Sequence, residues 1–337
     1  MRVAIVHDDL VQWGGAERML EGICEIFPDS PIFTSVFDRG NKELNKRFGS
    51  KKVVTSFLQK IPGWQVMYKI LLPLYPIAFE QFDFSDFDVV ISQTTRFAKS
   101  IITKPETLHI CYCHTPPRFL WHLSGEKNYG LVELLLSKLR ILDQISASRV
   151  DLFLAGSKNA QKRIKKIYQV DSKVLYPFVD LKRFKDVESF DGGYFVTIGR
   201  ANKYKKLDLV QKVCLDLGVD LKIISGGLDD EMVVRILAGC QALIIAGIED
   251  FGLTSLEAQA LGKPVIALGE GGVLETVLDQ KTGIFFQDQT VDGLKKAIQE
   301  LGKIKIDPDL CKQNAAQFSR DKFKGEFKQI VASLVYT

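Results

Sequence analysis

Ile248-Glu249-Asp250-Phe251-Gly252-Leu253-Thr254-Ser255-Leu256-Glu257-Ala258 sets two glutamates, seven residues between them, around a glycine and two small hydroxyl residues. Upstream, Ala242 to Ala246 is an unbroken apolar run that reads as a buried strand, and Ser255 to Leu261 reads as the opening turns of a helix. A tight turn between them points backbone N–H groups and the positive end of the helix dipole outward, which suits a phosphate. Carboxylates are poor phosphate ligands but good acceptors of hydrogen bonds from sugar hydroxyls. Thr254-x-x-Glu257 also fits a capping box, in which Glu257 would only satisfy a backbone amide at the helix start.

Working outward, strand-like apolar runs alternate with amphipathic segments along the whole chain. Val3 to Val6, Val89 to Ser92, Leu108 to Cys113 and Leu152 to Ala155 read as strands, with helices over Glu17 to Phe27, Leu131 to Ser148 and Asn159 to Tyr168. A second series of strands follows at Tyr194 to Ile198, Leu221 to Ile224, Ala242 to Ala246, Val265 to Leu268 and Ile284 to Phe286. This alternation predicts an α/β protein of two doubly wound, parallel-sheet, Rossmann-like domains. Such sheets bind ligands beyond the carboxyl ends of their strands, so two facing domains would form a cleft. The polar stretch Asp180 to Gly193 is the best linker. The domains are expected at residues 1–178 and 179–317, with a last helix over 318–337 carrying Phe323, Phe327, Ile330, Val331 and Leu334 on one side.

Composition excludes several classes. Of 337 residues 46% are hydrophobic and 26% charged, ordinary for a soluble globular protein. A net charge of +4 does not indicate a general nucleic-acid binder. The six cysteines fall mostly inside apolar patterns and read as reduced core residues of a cytoplasmic protein. His109, Cys111 and Cys113 alternate along one strand face, too linear for a tetrahedral zinc site. The longest apolar stretch, Ile70 to Phe79, is broken by two prolines and cannot span a bilayer as a helix. The segment from Lys51 to Phe82 mixes Lys51, Lys52, Lys60 and Lys69 with Trp64 and Tyr68, a mixture that suits either a membrane interface or packing on its own domain.

The glutamate pair is followed by Gly262-Lys263-Pro264-Val265, then Gly271-Gly272 before a helix-like run, then Gly283-Ile284-Phe285-Phe286. In that order these segments resemble the signature of the large retaining glycosyltransferase family of GT-B fold that includes bacterial mannosyltransferases. The resemblance implies a site residue by residue. Glu249 would meet the transferred sugar and Glu257 the ribose, with Phe251, Gly252, Leu253 and Thr254 forming the substrate-binding turn between them. Arg200 and Lys205, in Gly199-Arg200-Ala-Asn-Lys203-Tyr-Lys205-Lys206-Leu207-Asp208, match the family's diphosphate clamp, although a solvated basic loop has the same composition. His114, just beyond a strand in Cys113-His114-Thr115-Pro116-Pro117, matches a histidine contacting the donor sugar. Gly14-Gly15, after His7-Asp8-Asp9, matches the glycine-rich loop at the donor–acceptor boundary. It lacks the Gly-x-Gly-x-x-Gly dinucleotide fingerprint. Ser157 sits at a similar strand end but is also a natural helix cap. The resemblance further implies that the last helix crosses back onto the first domain.

One piece departs from the family. After Ile224-Ser225-Gly226-Gly227 a single helical segment precedes the Ala242 run, where relatives carry a further strand and helix that contact the nucleotide base. The missing unit leaves a strand edge exposed. The reading is therefore a metal-independent retaining hexosyltransferase, needing no cofactor besides its nucleotide-sugar substrate. GDP-mannose is the first expected donor of mannose and a glycolipid or polysaccharide the acceptor, in the cytoplasm or peripherally on the cytoplasmic membrane face. The alternatives are a catalytically inert relative acting as an assembly subunit, or a nucleotide-sugar epimerase or phosphorylase on the same scaffold.

Overall fold

A computed structural model describes residues 1–68, 70–123, 130–199 and 203–335. The chain divides into two compact units, residues 1–175 together with Phe327 onward, and residues 176–326.

The first unit holds the strands β1 (Val3–His7), β2 (Ile32–Thr34), β3 (Val53–Thr55), β4 (Val89–Thr94), β5 (Leu108–Cys113), β6 (Leu152–Ala155) and β7 (Ser172–Val174). All pair in parallel, in the order β3-β2-β1-β4-β5-β6-β7. Helices α1 (Gly15–Ile26), α2 (Lys42–Phe48), α3 (Trp64–Met67), α4 (Tyr75–Glu80), α5 (Leu131–Ala147) and α6 (Lys158–Tyr168) connect them. The long apolar strands are legible because both faces of a parallel sheet are covered. β2, β3 and β7 escape a sequence reading because three residues are too few to show a period. Ser157 is a cap: its hydroxyl accepts the Ala160 N–H at 2.9 Å and opens α6.

The second unit holds β8 (Tyr194–Ile198), β9 (Asp220–Ile224), β10 (Cys240–Ile245), β11 (Val265–Leu268) and β12 (Gly283–Phe286), parallel throughout in the order β12-β11-β10-β8-β9. Its helices are α7 (Leu207–Leu217), α8 (Asp230–Ala238), α9 (Leu253–Ala260), α10 (Val291–Leu301) and α11 (Pro308–Ala316). The last helix, α12 (Arg320–Val335), buries Phe323, Phe327 and Val331 of the expected stripe and leaves Ile330 and Leu334 half-buried. Both sheets are doubly wound, and each reverses its strand order once, between β1 and β4 and between β8 and β10. Crevices for ligands open at such reversals, beyond the strand carboxyl ends.

Two buried polar groups brace the first sheet, one against its helices and one within it. Lys99, fully buried after β4, forms an ion pair with Asp143 of α5, whose other oxygen accepts from Trp121 Nε1 (2.8 Å) and the Tyr168 hydroxyl (2.9 Å). Burial works against the Lys99 charge, but Asp143 outweighs it and the ammonium titrates above its ordinary range. Inside the sheet, Ser92 Oγ and His109 Nε2 lie 2.8 Å apart. Burial, assisted by the nearby Lys99 charge, drives the His109 pKa down to about 3.

Two stability predictions follow from these groups. A histidine held neutral in the fold but free to protonate when unfolded makes the unfolded state bind more protons. Stability contributed this way is intact above the unfolded pKa of about 6.5 and is lost as pH falls toward about 3. His109→Gln should therefore flatten the pH dependence of the unfolding free energy, from urea titrations between pH 6.5 and 4, by about 1.4 kcal/mol per pH unit. An unchanged slope would exclude His109 as the source. Asp143→Leu should cost about 3–5 kcal/mol by stranding the Lys99 charge, and adding Lys99→Met should restore most of the loss. Thermal unfolding of the three proteins checks this, and additive losses in the double variant would refute it.

Candidate functional site

In the second unit the site forms where β10 runs into α9. Gly247 follows β10, and a side chain there would place its Cβ 2.1 Å from the Tyr204 carbonyl. Only a glycine lets the Lys203–Lys205 turn lie so close. Lys205 then extends along Gly199 at the end of β8, and its ammonium sits 2.5 Å from a Glu249 carboxylate oxygen. Both side chains remain partly exposed, 17% and 15%. The Glu249 main chain is fixed by an isolated parallel bridge to Gly271 and by the Gly272 N–H, which donates to its carbonyl at 2.8 Å.

Gly252 turns the chain into α9 with φ +97°, a left-handed conformation that a side chain would strain. Its place as helix cap corrects the capping-box reading. Thr254 lies inside the first turn, no side chain caps the helix, and Ser255 Oγ donates to the Gly252 carbonyl at 2.7 Å. The Glu257 carboxylate meets the Arg183 guanidinium at 2.7 Å, and a second guanidinium nitrogen lies 3.4 Å from Asp230. Leu253 and Thr254 are half-buried at the uncapped helix start. Phe251 is buried, its ring stacked on Tyr176 (5.5 Å) and edge-on to Phe318 (5.5 Å), so its side chain supports the turn from below. The Tyr176 hydroxyl is pushed up to about 12 by burial and by Glu275 against it. Arg200 lies outside the described residues.

Beneath the helix a wholly buried network locks α9 in place. Ser255 Oγ bonds Thr276 Oγ1 at 2.7 Å, Gln259 Nε2 donates to the Thr276 carbonyl, and Asn314 Nδ2 donates to both Gln259 Oε1 and that carbonyl. Three of these residues, Gln259, Thr276 and Asn314, carry no sequence signal of their own, since isolated polar residues in helices usually face solvent.

In the first unit, the loop after β1 and the end of β4 meet at the strand-order reversal. The buried Asp8 carboxylate accepts the main-chain N–H groups of Thr95, Arg96, Phe97 and Ala98 at 2.7–3.0 Å, and the Thr94 hydroxyl at 3.0 Å. Burial alone would raise its pKa, but the Arg96 charge and these N–H groups bring it below the usual range. Neighbouring Asp9 pairs with Arg96, yet burial and the Asp8 charge leave its pKa raised. His114 stands just past β5, half-buried, its ring edge-on to Tyr112 at 5.0 Å. Gly14 caps α1 without a side chain and Gly15 begins it. Gln93, at the end of β4, joins these two candidates: its Nε2 lies 2.7 Å from the Ala16 carbonyl and 2.7 Å from His114 Nε2.

Among the described residues, no group of three or more His, Cys, Asp or Glu side chains is arranged to hold a metal ion. The six cysteines are free and buried, and burial pushes the thiols of Cys24, Cys111, Cys240 and Cys311 up to about 12, which leaves them protonated and unreactive.

Residues 221–318 match the family model of group 1 glycosyl transferases. The alpha-1,3/1,6-mannosyltransferase ALG2 of Dictyostelium discoideum is 32% identical over 147 residues, spanning 43% of this chain and 34% of that protein. The mouse protein of the same name is 22% identical over 415 aligned positions covering 99% of this chain and 96% of its own. Among solved structures, sucrose-phosphate synthase from Thermosynechococcus elongatus superposes with a TM-score of 0.75 at 13% identity, over 99% of each chain, a likeness of fold. With two doubly wound parallel sheets, and a stretch of the second unit that matches the group 1 glycosyl transferase model, the chain has the two-domain α/β architecture of the GT-B fold.

Proposed function

We propose that the chain is a retaining hexosyltransferase that takes mannose from GDP-mannose and delivers it to a lipid-linked or polysaccharide acceptor. The observation that carries this reading is the Lys205–Glu249 contact at 2.5 Å beside the uncapped start of α9. Departure of a nucleotide diphosphate builds negative charge on its terminal phosphate. The Lys205 ammonium and the N–H groups opening α9 are fixed positive groups that stabilise that charge as it develops. Glu249, next to the ammonium, accepts hydroxyls of the sugar being moved, and Glu257, held by Arg183, accepts those of the ribose. Arg200 adds a second cation to the clamp by its place in sequence. By the resemblance, His114 is the first unit's candidate for the donor sugar, and the leaving phosphate helps deprotonate the acceptor hydroxyl on the same face. Mannose is favoured because both relatives described above are mannosyltransferases by name.

A lipid-linked acceptor is supported by the surface of the first unit. Val66, Ile70 and Ile77 are 87%, 73% and 56% exposed around α3 and α4, and α5 exposes Leu134, Ile141 and Ile145. α3, α4 and α5 pack against one core cluster, so their outward faces border the same part of the unit. Trp64, which the sequence left between a membrane interface and packing on its own domain, is buried in that cluster. Lys52 and Lys60 are exposed beside it, and Lys69 lies outside the described residues. No described helix is long and apolar enough to cross a membrane. A second reading, an inert assembly subunit, is favoured by one observation: β9 ends the sheet and only α8 separates it from β10, where base recognition is expected.

A calorimetric panel of GDP- and UDP-sugars separates the two readings. The enzyme reading expects GDP-mannose to bind and turn over, while the subunit reading expects no nucleotide sugar to bind. Lys205→Ala should lower turnover roughly a hundredfold, about 3 kcal/mol of transition-state stabilisation. Glu249→Gln should lose turnover of the intact nucleotide sugar while retaining affinity for the bare nucleotide. Full activity in a folded Lys205→Ala protein would remove the clamp assignment. For the membrane, co-sedimentation with anionic liposomes should fall sharply in a Val66→Ser, Ile70→Ser, Ile77→Ser variant, since each apolar side chain contributes roughly 1.5–3 kcal/mol when fully buried. Equal sedimentation of variant and wild type would dismiss this surface as the contact.

A further inference from the structure

The Gln93 amide determines what the candidate histidine can do. The atom of Gln93 that lies 2.7 Å from the Ala16 carbonyl must be its nitrogen, because a main-chain carbonyl only accepts. This fixes the amide orientation, which is otherwise a free choice between two similar ends. The same nitrogen lies 2.7 Å from His114 Nε2, so its second N–H is donated there. A ring nitrogen that accepts a hydrogen bond carries a lone pair and no proton. Neutral His114 must then hold its proton on Nδ1, and adding a second proton at Nε2 would set two N–H groups against each other.

We infer that Gln93 is a positioning residue that holds His114 as the neutral Nδ1–H tautomer, leaving Nε2 an acceptor and suppressing its action as a proton-carrying acid there. The anchor of this device is the turn after the glycine pair. Ala16 is in the first turn of α1, and Gln93 sits opposite His7 in the β1–β4 register, so strand pairing and helix start together set the amide position. Gln93 is itself fully buried, which strips away water that would otherwise compete for both hydrogen bonds. The role in transfer rests on the glycosyltransferase reading. The tautomer does not.

Nitrogen-15 NMR of the imidazoles in the wild-type protein tests the tautomer without any substrate. The chain has four histidines, and a His114→Asn spectrum identifies the relevant pair of signals. At pH 7.5 the Nε2 signal should be that of a bare imine nitrogen and the Nδ1 signal that of an N–H. A protonated Nε2 would overturn the inference whatever the protein transfers.

The second measurement is the pH dependence of kcat/KM for GDP-mannose in Gln93→Glu and Gln93→Met. A carboxylate can only accept, so Gln93→Glu should draw a proton onto Nε2 and stabilise the imidazolium, moving the His114 titration and the associated limb of the profile up by about one pH unit or more. Gln93→Met should lower kcat roughly tenfold to a hundredfold with no such movement. Profiles of folded Gln93→Glu and wild type that coincide would overturn the positioning role. The expected imidazole spectrum in a protein that turns over no nucleotide sugar would instead count against the proposed function and confirm the tautomer.

Discussion

One main-chain hydrogen bond, from the Gly272 N–H to the Glu249 carbonyl, ties the loop after β11 to the loop after β10. The candidate site of the second unit is placed relative to it. A loop leaving a parallel strand has no ladder partner and would ordinarily wander. Here it is clasped on one side by Gly272 and crowded on the other by the Tyr204 carbonyl lying over Gly247. Between those two contacts Glu249 has one position, and the Lys205 ammonium arrives at it along a path left open by Gly199. The left-handed turn at Gly252 then starts α9 before any side chain can cap it. Three glycines and one backbone bond thus do what a larger number of side-chain contacts would do less rigidly.

The first unit solves the same problem with charge in place of close approach. Its turn after β4 is wrapped around the Asp8 carboxylate, which collects four consecutive N–H groups that have no strand to bond. A buried carboxylate without such partners would be neutral or would unfold its surroundings. With them it is a rivet, and it fixes β4 so that Gln93 can reach both Ala16 and His114. In each unit the reversal of strand order creates the crevice and a buried polar contact gives it a definite shape.

The sequence made the long strands and the apolar stripe of α12 legible, because both are patterns of burial repeated over many residues. The glutamate pair and the glycines that follow it stand out in the sequence, and the role of the pair comes from the resemblance. What stayed hidden depended on residues distant in sequence. Arg183 cannot be matched to Glu257 without knowing that the segment before β8 lies against α9, and nothing near Thr254 reveals that Gly252 has already begun the helix. The mixed neighbours of Trp64 left two readings open, and its ring fills a core. Gln93 directly follows the apolar run Val89 to Ser92 and belongs to no motif that the sequence shows. Short strands such as β2 and β3 are made by the sheet around them more than by their own three residues.

The assignment of Phe327 onward to the first unit has a consequence in time. The Phe27 and Phe327 rings lie 6.4 Å apart, edge to face, yet they leave the ribosome far from together. At ordinary elongation speeds the roughly 150 residues between Leu175 and Phe327 occupy on the order of ten to thirty seconds. Throughout that interval the first sheet exists without the helix that covers Phe27. The nascent protein therefore carries an open apolar seat while the whole second unit is being made. A holding chaperone, or the tail of a neighbouring nascent chain on the same message, has that long to occupy it first.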